Sequence, residues 1–111
     1  MSIRQTAKDD MFDALSDRRR RRLLLTIRNE CEGDDPRMDI EALSDAVARG
    51  VRADEVRVQL HHVHLPKLAD SGYIRWDSAT GTVTTGPRWD DIGAVLDVLV
   101  ENRDELPDGV L

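Results

Sequence analysis

Lysine, cysteine and aromatic rings are the scarce residues of this chain. Two lysines, Lys8 and Lys67, stand against 14 arginines, and one cysteine, Cys31, excludes an internal disulfide and suits a reducing compartment. The chain also lacks a Cys-x-x-Cys pair, a Gly-rich phosphate loop and a nucleophile elbow, so it carries none of the compact signatures of common catalytic classes. Its carboxylates are plentiful but scattered over polar faces, as solubility requires. The expectation is a protein that is not an enzyme and that holds neither cofactor nor metal. No apolar run approaches 18 residues, so no membrane span is expected. The first residues are polar and include acids, which argues against a secretory signal and for a cytoplasmic location.

What the chain does have is charge, mostly of one sign. The formal net charge is −6, with 16 aspartates against 6 glutamates. Aspartate excess with lysine scarcity is the habit of cytoplasmic proteins from salt-loving cells, where high net charge keeps chains soluble although salt screens charges within roughly 3 Å at 1 M. A GC-rich genome is the alternative source of the arginine bias. A length of 111 residues suffices for one core and not for two ordinary domains. Residues 9–103 read as that domain, with 1–8 and 104–111 as flexible termini.

Hydrophobic spacing sets the elements. Asp9 or Asp10 can cap a short helix bearing Met11, Phe12 and Leu15. A second helix, Asp17 to Cys31, buries Leu23, Leu24, Ile27 and Cys31 at spacings of three and four. Arg18 to Arg22 open it and cover every direction of the helix, so some must lie along the core and present their heads at its rim. Glu32 to Pro36 has turn composition. Met38 to Ile40 can form a very short strand. The next helix, from about Glu41, turns Leu43, Ala46 and Val47 inward and stops at Gly50. Asp54 can cap the helix after it.

That helix, Val56 to Ser71, places Val56, Leu60 and Val63 on one side at 100° per residue. Val58, Leu65 and Leu68 fall on a second side, which predicts a helix wedged between neighbours. Glu55, Gln59, His62 and Pro66 remain exposed, with Asp70 at the edge. Pro66 has no N–H to give, so the helix kinks or restarts there. Gly72 ends it. Tyr73 to Asp77 and Thr82 to Thr85, joined by turn residues, read as a hairpin with Ile74 and Trp76 on one face. A last helix, Arg88 to Arg103, carries a stripe of Trp89, Ile92, Leu96 and Leu99, widened by Val95, Val98 and Val100. The order predicts an α+β winged helix-turn-helix, with a C-terminal hairpin wing and an extra C-terminal helix.

Two segments resemble known families. Asp13-Ala14-Leu15-Ser16-Asp17 followed by Arg18 to Arg22 resembles the opening of ArsR-type winged-helix regulators. Leu65-Pro66-Lys67-Leu68-Ala69-Asp70-Ser71-Gly72-Tyr73-Ile74 resembles the end of their reading helix. More specifically, His64-Leu65-Pro66-Lys67-Leu68 with the following glycine and Asp77 resembles short haloarchaeal winged-helix proteins grouped as a domain of unknown function. The likeness covers about residues 10–86, and it implies a winged-helix fold and DNA-binding regulation. The paired cysteines of metal-sensing ArsR proteins are missing, so metal sensing is not implied.

On such a helix, Arg57, Gln59 and His62 are the candidates to reach base edges, and Arg52, Lys67, Arg75 and Arg88 the candidates for phosphates. Glu55 and Asp70 beside that face, and the acidic balance, argue the other way. The alternative is the same fold used as a protein-interaction module. Of the histidines, only His61 and His64 share a side; partly buried hydrogen-bonding roles outweigh a zinc site. Trp89, Ile92, Leu96 and Leu99 are the candidate interface of a homodimer, which would present two reading helices to double-stranded DNA.

Overall fold

A computed structural model describes residues 3–31, 37–48 and 52–111. The expected turn at 32–36 and the expected stop at Gly50 lie outside those residues. The protein is α+β. Helices α1 (Ile3–Leu15) and α2 (Arg18–Glu30) come first, then strand β1 (Met38–Asp39) and helix α3 (Ile40–Ala48). Helix α4 (Ala53–Gln59) runs through a π turn (Leu60–His64) into α5 (Leu65–Asp70). Strands β2 (Ile74–Asp77) and β3 (Thr82–Thr85) follow, then α6 (Trp89–Glu101) and a 3-10 turn (Arg103–Glu105).

Helix α1 begins well before the expected caps, so Asp9 and Asp10 lie inside it. It ends at Ser16, whose N–H and hydroxyl both donate to the Asp13 carbonyl at 3.2 and 2.7 Å. Asp17 then caps α2: its carboxylate accepts from the N–H groups of Arg19 and Arg20 at 2.8 and 3.3 Å. One face of α2 puts Leu23, Leu24 and Ile27 in the core, and Leu25 joins them. Ala46 of α3 is exposed rather than inward, while Leu43, Val47 and Ala48 supply that helix's buried side. Asp54 sits in the first turn of α4. The residue ahead of the helix is Arg52, held in the left-handed region at φ 50°.

The strands form one antiparallel sheet in the order β1-β3-β2. Met38 pairs with Val83, and Trp76 pairs with Val83 from the other side. The β2–β3 turn is tied by Asp77, whose carboxylate accepts from the N–H groups of Ala79 and Thr80 at 2.9 and 3.3 Å. Gly81 closes it at φ 70°. Ile74 faces the core with Trp76 packed beside it, as the alternation predicts. Tyr73 departs from that alternation, because it precedes the strand and lies fully buried at the helix–strand joint.

Helix α6 is tied to α2 by an ion pair, Arg28 Nε to Asp97 at 2.7 Å. The last residues fold back onto the domain: the Val110 carbonyl accepts from Arg21 Nε at 2.7 Å, and Leu111 packs against the core. Val110 and Leu111 thus pack back on the domain, while Asp104, Glu105, Pro107, Asp108 and Gly109 are exposed. Among the described residues, no helix is long and apolar enough to cross a membrane.

Candidate nucleic-acid interface

The α4–α5 helix departs most from its sequence pattern. Val58 and Val63 are 57% and 49% exposed, while Val56, Leu60, His64, Leu65 and Leu68 are buried. The helix is therefore buried on one side, not wedged on two. The π turn is the physical reason. Leu65 donates to the Leu60 carbonyl, five residues back, so this turn takes about one residue more than an α turn. The added residue shifts the phase: His64 takes the buried place that α-helical counting gives to Val63, and Leu65 and Leu68 join the side of Val56. The wider turn also lies just ahead of Pro66, which needs no N–H partner in the first turn of α5. Of the two outcomes expected at Pro66, restart is the one observed.

The far end of the helix is a Schellman closure. Tyr73 N–H donates to the Leu68 carbonyl at 3.1 Å and Gly72 N–H to Ala69 at 3.0 Å, with Gly72 at φ 83°. The chain passes at once into β2. His61 meets Trp76 of β2 edge-on, with ring centroids 5.6 Å apart, and so ties the helix to the hairpin. Among the described residues no group of histidine, cysteine and carboxylate is placed to hold a metal.

The expected site residues separate into free and engaged groups. His62 of the π turn and Arg75 of β2 are exposed. Arg52 is exposed at the start of α4, 3.5 Å from Glu55. Arg57 is half-buried, and its Nε is shielded with no hydrogen-bond partner among the described residues. The Gln59 side-chain oxygen accepts from Arg19 of α2, so this amide is already held. Lys67 pairs with Asp13 of α1. Arg88 belongs to the joint rather than to an open surface: Nη1 donates to the Ser71 carbonyl at 2.7 Å, and the guanidinium lies 5.1 Å over the Tyr73 ring. Asp10 and Asp91 stand 3.8 and 4.0 Å from it. Arg88 thus clamps the helix–strand joint.

On α6, Ile92 and Leu96 are fully buried in their own core, which removes both from any surface. Trp89 and Leu99 are half-buried, and the exposed positions of that helix are Asp90, Asp91, Ala94, Asp97, Val98 and Glu101. Sequence reasoning missed Arg19. It lay inside the arginine run that opens α2, yet it reaches the α4 residue expected to read bases. Five successive arginines carry no phase, so spacing alone offered no signal for it.

Beneath this surface lies a buried polar joint. Arg20 donates to the Ala14 carbonyl at 3.1 Å, the Asp13 carbonyl at 2.9 Å, Ser16 Oγ at 3.2 Å and His64 Nδ1 at 3.3 Å. A guanidinium only donates, so His64 Nδ1 accepts and the ring is neutral with its proton on Nε2. Burial holds the His64 pKa below its ordinary 6.5; Asp17 opposes this, and Arg20 and Arg19 add to it. Burial pushes the Asp17 carboxyl up, but the backbone N–H groups of Arg19 and Arg20, with the Arg20 charge, bring it below the usual range.

The two groups give separate pH windows. Below 6.5 the unfolded chain binds a proton that folded His64 refuses, so stability falls as pH drops from 6.5 towards the depressed folded value. The Asp17 contribution is present above its unfolded pKa of 3.8 and is lost as pH falls through its lower folded value. His64→Gln is expected to flatten the upper window and leave the acid window unchanged, as urea titrations across pH would record. An unchanged slope just below pH 6.5 would contradict the buried neutral ring.

The fold and this surface define a small α+β domain in which a helix pair leads through a glycine turn into a hairpin. The chain belongs to the DUF7344 family, a domain of unknown function, whose model matches residues 12–84. No curated protein and no solved structure matches the chain.

Proposed function

We propose that this chain is a winged helix-turn-helix DNA-binding transcriptional regulator of ArsR-like type, working as a homodimer in the cytoplasm of a halophilic cell. The observation that carries the reading is the α3–α4–α5 helix pair, which runs through Gly72 into an antiparallel hairpin joined by the short strand β1. In this reading α4–α5 enters the major groove and the hairpin is the wing. His62 reads a base edge, flanked by Val58 and Val63, whose methyl groups suit contact with thymine methyls. Arg52 and Arg75 contact phosphates, and Arg19 presses on Gln59 from α2. The acidic balance weakens phosphate attraction in dilute buffer. In molar salt counterion release contributes little in any case, so shape and base contacts would carry the affinity.

The outer face of α6 is the dimer surface in this reading, with Ala94 and Val98 at its centre and Trp89 and Leu99 at its edges. The exposed valines of α4–α5 also favour a second reading, in which that face docks a protein partner.

Selection of genomic fragments in high salt, followed by gel shift, tests the assignment. An enriched sequence is expected, bound by a species of dimer mass in light scattering. His62→Ala should weaken binding to it by about 5- to 150-fold, at one base position. Arg75→Ala should weaken all sequences alike and reduce the salt slope by about one. No enriched sequence, with both variants indistinguishable from the parent, would defeat the DNA reading. A stable non-self partner captured through Val58 would replace it.

A further inference from the structure

Gln59 closes α4, half-buried, between the exposed Val58 and the buried Leu60. Its side-chain oxygen accepts from Nη1 of Arg19, a half-buried residue in the first turn of α2. A guanidinium carries donors and no acceptor, so this contact settles which way the amide points. The oxygen faces α2, and the NH2 group is turned away from it. Among the described residues that NH2 group donates to nothing, and the other side-chain N–H groups of Arg19 have no partner either. Glu55, one turn earlier on α4, stands against Arg52 instead. The pair therefore offers a visitor donors from both of its members. The amide oxygen keeps a second lone pair, but any donor brought to it stands beside the guanidinium and its unspent N–H groups.

The polarity of an amide decides which base it can read. A free glutamine pairs with adenine through both ends: its NH2 donates to the ring nitrogen, and its oxygen accepts from the adenine amino group. With the oxygen held by Arg19, that amino group meets donors only. Cytosine also presents an amino group in the major groove and is refused on the same ground. Guanine presents two adjacent acceptors there and no donor, which suits the pair best. Thymine has one acceptor beside its methyl group and ranks between. Resting on the DNA reading proposed above, we infer that Arg19 and Gln59 form one unit that selects guanine and rejects adenine. Gln59 touches the base, and Arg19 is the positioning residue. Helix α2 thereby takes part in sequence preference through a side chain that need not touch the base.

Selection from random duplex DNA by the full chain in high salt, repeated with Gln59→Ala, locates the base position that Gln59 reads. It is the position whose discrimination disappears in the variant. There the parent should prefer guanine to adenine by about 5- to 150-fold. Arg19→Met frees the amide oxygen, so the preference at that position should move to adenine while other positions keep theirs. Arg18→Met removes the same charge from an exposed neighbour and should leave the preference at guanine. A second readout needs no variant. Unsubstituted purine in place of adenine at that position deletes the amino group and keeps the ring nitrogen. The parent should bind that duplex about fivefold more tightly than the adenine one. Four results would overturn the Arg19–Gln59 unit and leave the DNA reading standing: no position altered in Gln59→Ala, adenine preferred by the parent, a preference unmoved in Arg19→Met or moved equally in Arg18→Met, or no gain with purine. No enriched sequence at all would overturn both.

Discussion

Arg20→Met should destabilise the fold by about 2–6 kcal/mol, the sum expected when two buried acceptors, the Ala14 carbonyl and His64 Nδ1, lose their donor. The side chain is nearly as long and apolar, so little volume is lost. What is lost is a set of donors: the carbonyls of Ala14 and Asp13, Ser16 Oγ and His64 Nδ1 all accept from this guanidinium. Each buried acceptor left without a donor costs about 1–3 kcal/mol. The loss is therefore a large share of the roughly 5–15 kcal/mol that holds a domain of this kind. Removing a cation from the first turn of α2 returns some stability through the helix dipole, but only about 0.3–1 kcal/mol. Urea unfolding followed by circular dichroism gives the measurement. Arg18→Met, on an exposed neighbour in the same turn, should stay within about 0.5 kcal/mol of the parent.

A second substitution separates the network from simple packing. In Arg20→Met the His64 ring keeps an unpaired Nδ1 in a site only 4% exposed. Adding His64→Leu removes that stranded acceptor, so the double variant should recover part of the loss and the two changes should not add. A loss below about 1 kcal/mol for Arg20→Met, or strict additivity, would mean that the buried bonds contribute little.

This network also marks the limit of what the sequence discloses. Spacing located the buried face of α2, because Leu23, Leu24 and Ile27 repeat at three and four. It located the hairpin, because Gly72, Gly81 and the β-prone runs bracket it. It began α2 one residue early, at Asp17, which is the cap of a helix that starts at Arg18. It missed Arg20 as the inward arginine, since five like residues in a row leave the phase undefined. The side assignment of Val58 and Val63 missed for a different reason. Counting at a constant 100° per residue assumes an unbroken α-helix, and the π turn at Leu60–His64 breaks that assumption in the middle of the candidate site. The consequences fall on function: valines expected in the core stand beside His62 on the surface, and His64 goes inside. The Arg88 clamp was not legible because its partners, Ser71 and the Tyr73 ring, come near it only when the chain folds back after β3. Proximity of that kind leaves no local pattern. The same holds for the C-terminal segment, whose polar composition conceals the Arg21 contact to Val110.

Gly86→Ala should cost about 2–4 kcal/mol, at or above the usual range for forcing an extra methyl into a packed site. Gly86 follows β3 where the chain closes on the Schellman turn. Its N–H donates to the Tyr73 carbonyl at 2.9 Å, and Arg88 N–H two residues on donates to the Gly72 carbonyl at 2.8 Å. A Cβ at Gly86 would lie 2.5 Å from the Gly72 oxygen, 2.8 Å from the Ile74 nitrogen and 2.9 Å from the Ile74 carbonyl carbon. All three atoms are backbone, so no side chain can swing aside. Relief requires moving β2 or the end of α5, and with them the Arg88 clamp and the His61–Trp76 contact. The effect is steric, because Gly86 is not among the glycines with positive φ. Gly81→Ala provides the contrast: its Cβ would meet only Ile40 Cγ2, at 3.5 Å, so its cost is the left-handed φ of 70° alone, about 1–2 kcal/mol. Thermal and urea unfolding should therefore rank Gly86→Ala below Gly81→Ala. If the two were equal, or the order reversed, the close approach of β3 to the helix–strand joint would not exist as described. Where Gly86→Ala still folds, the proposed DNA affinity should fall with it, because the methyl displaces the hairpin from the helix that His61 and Trp76 hold it against.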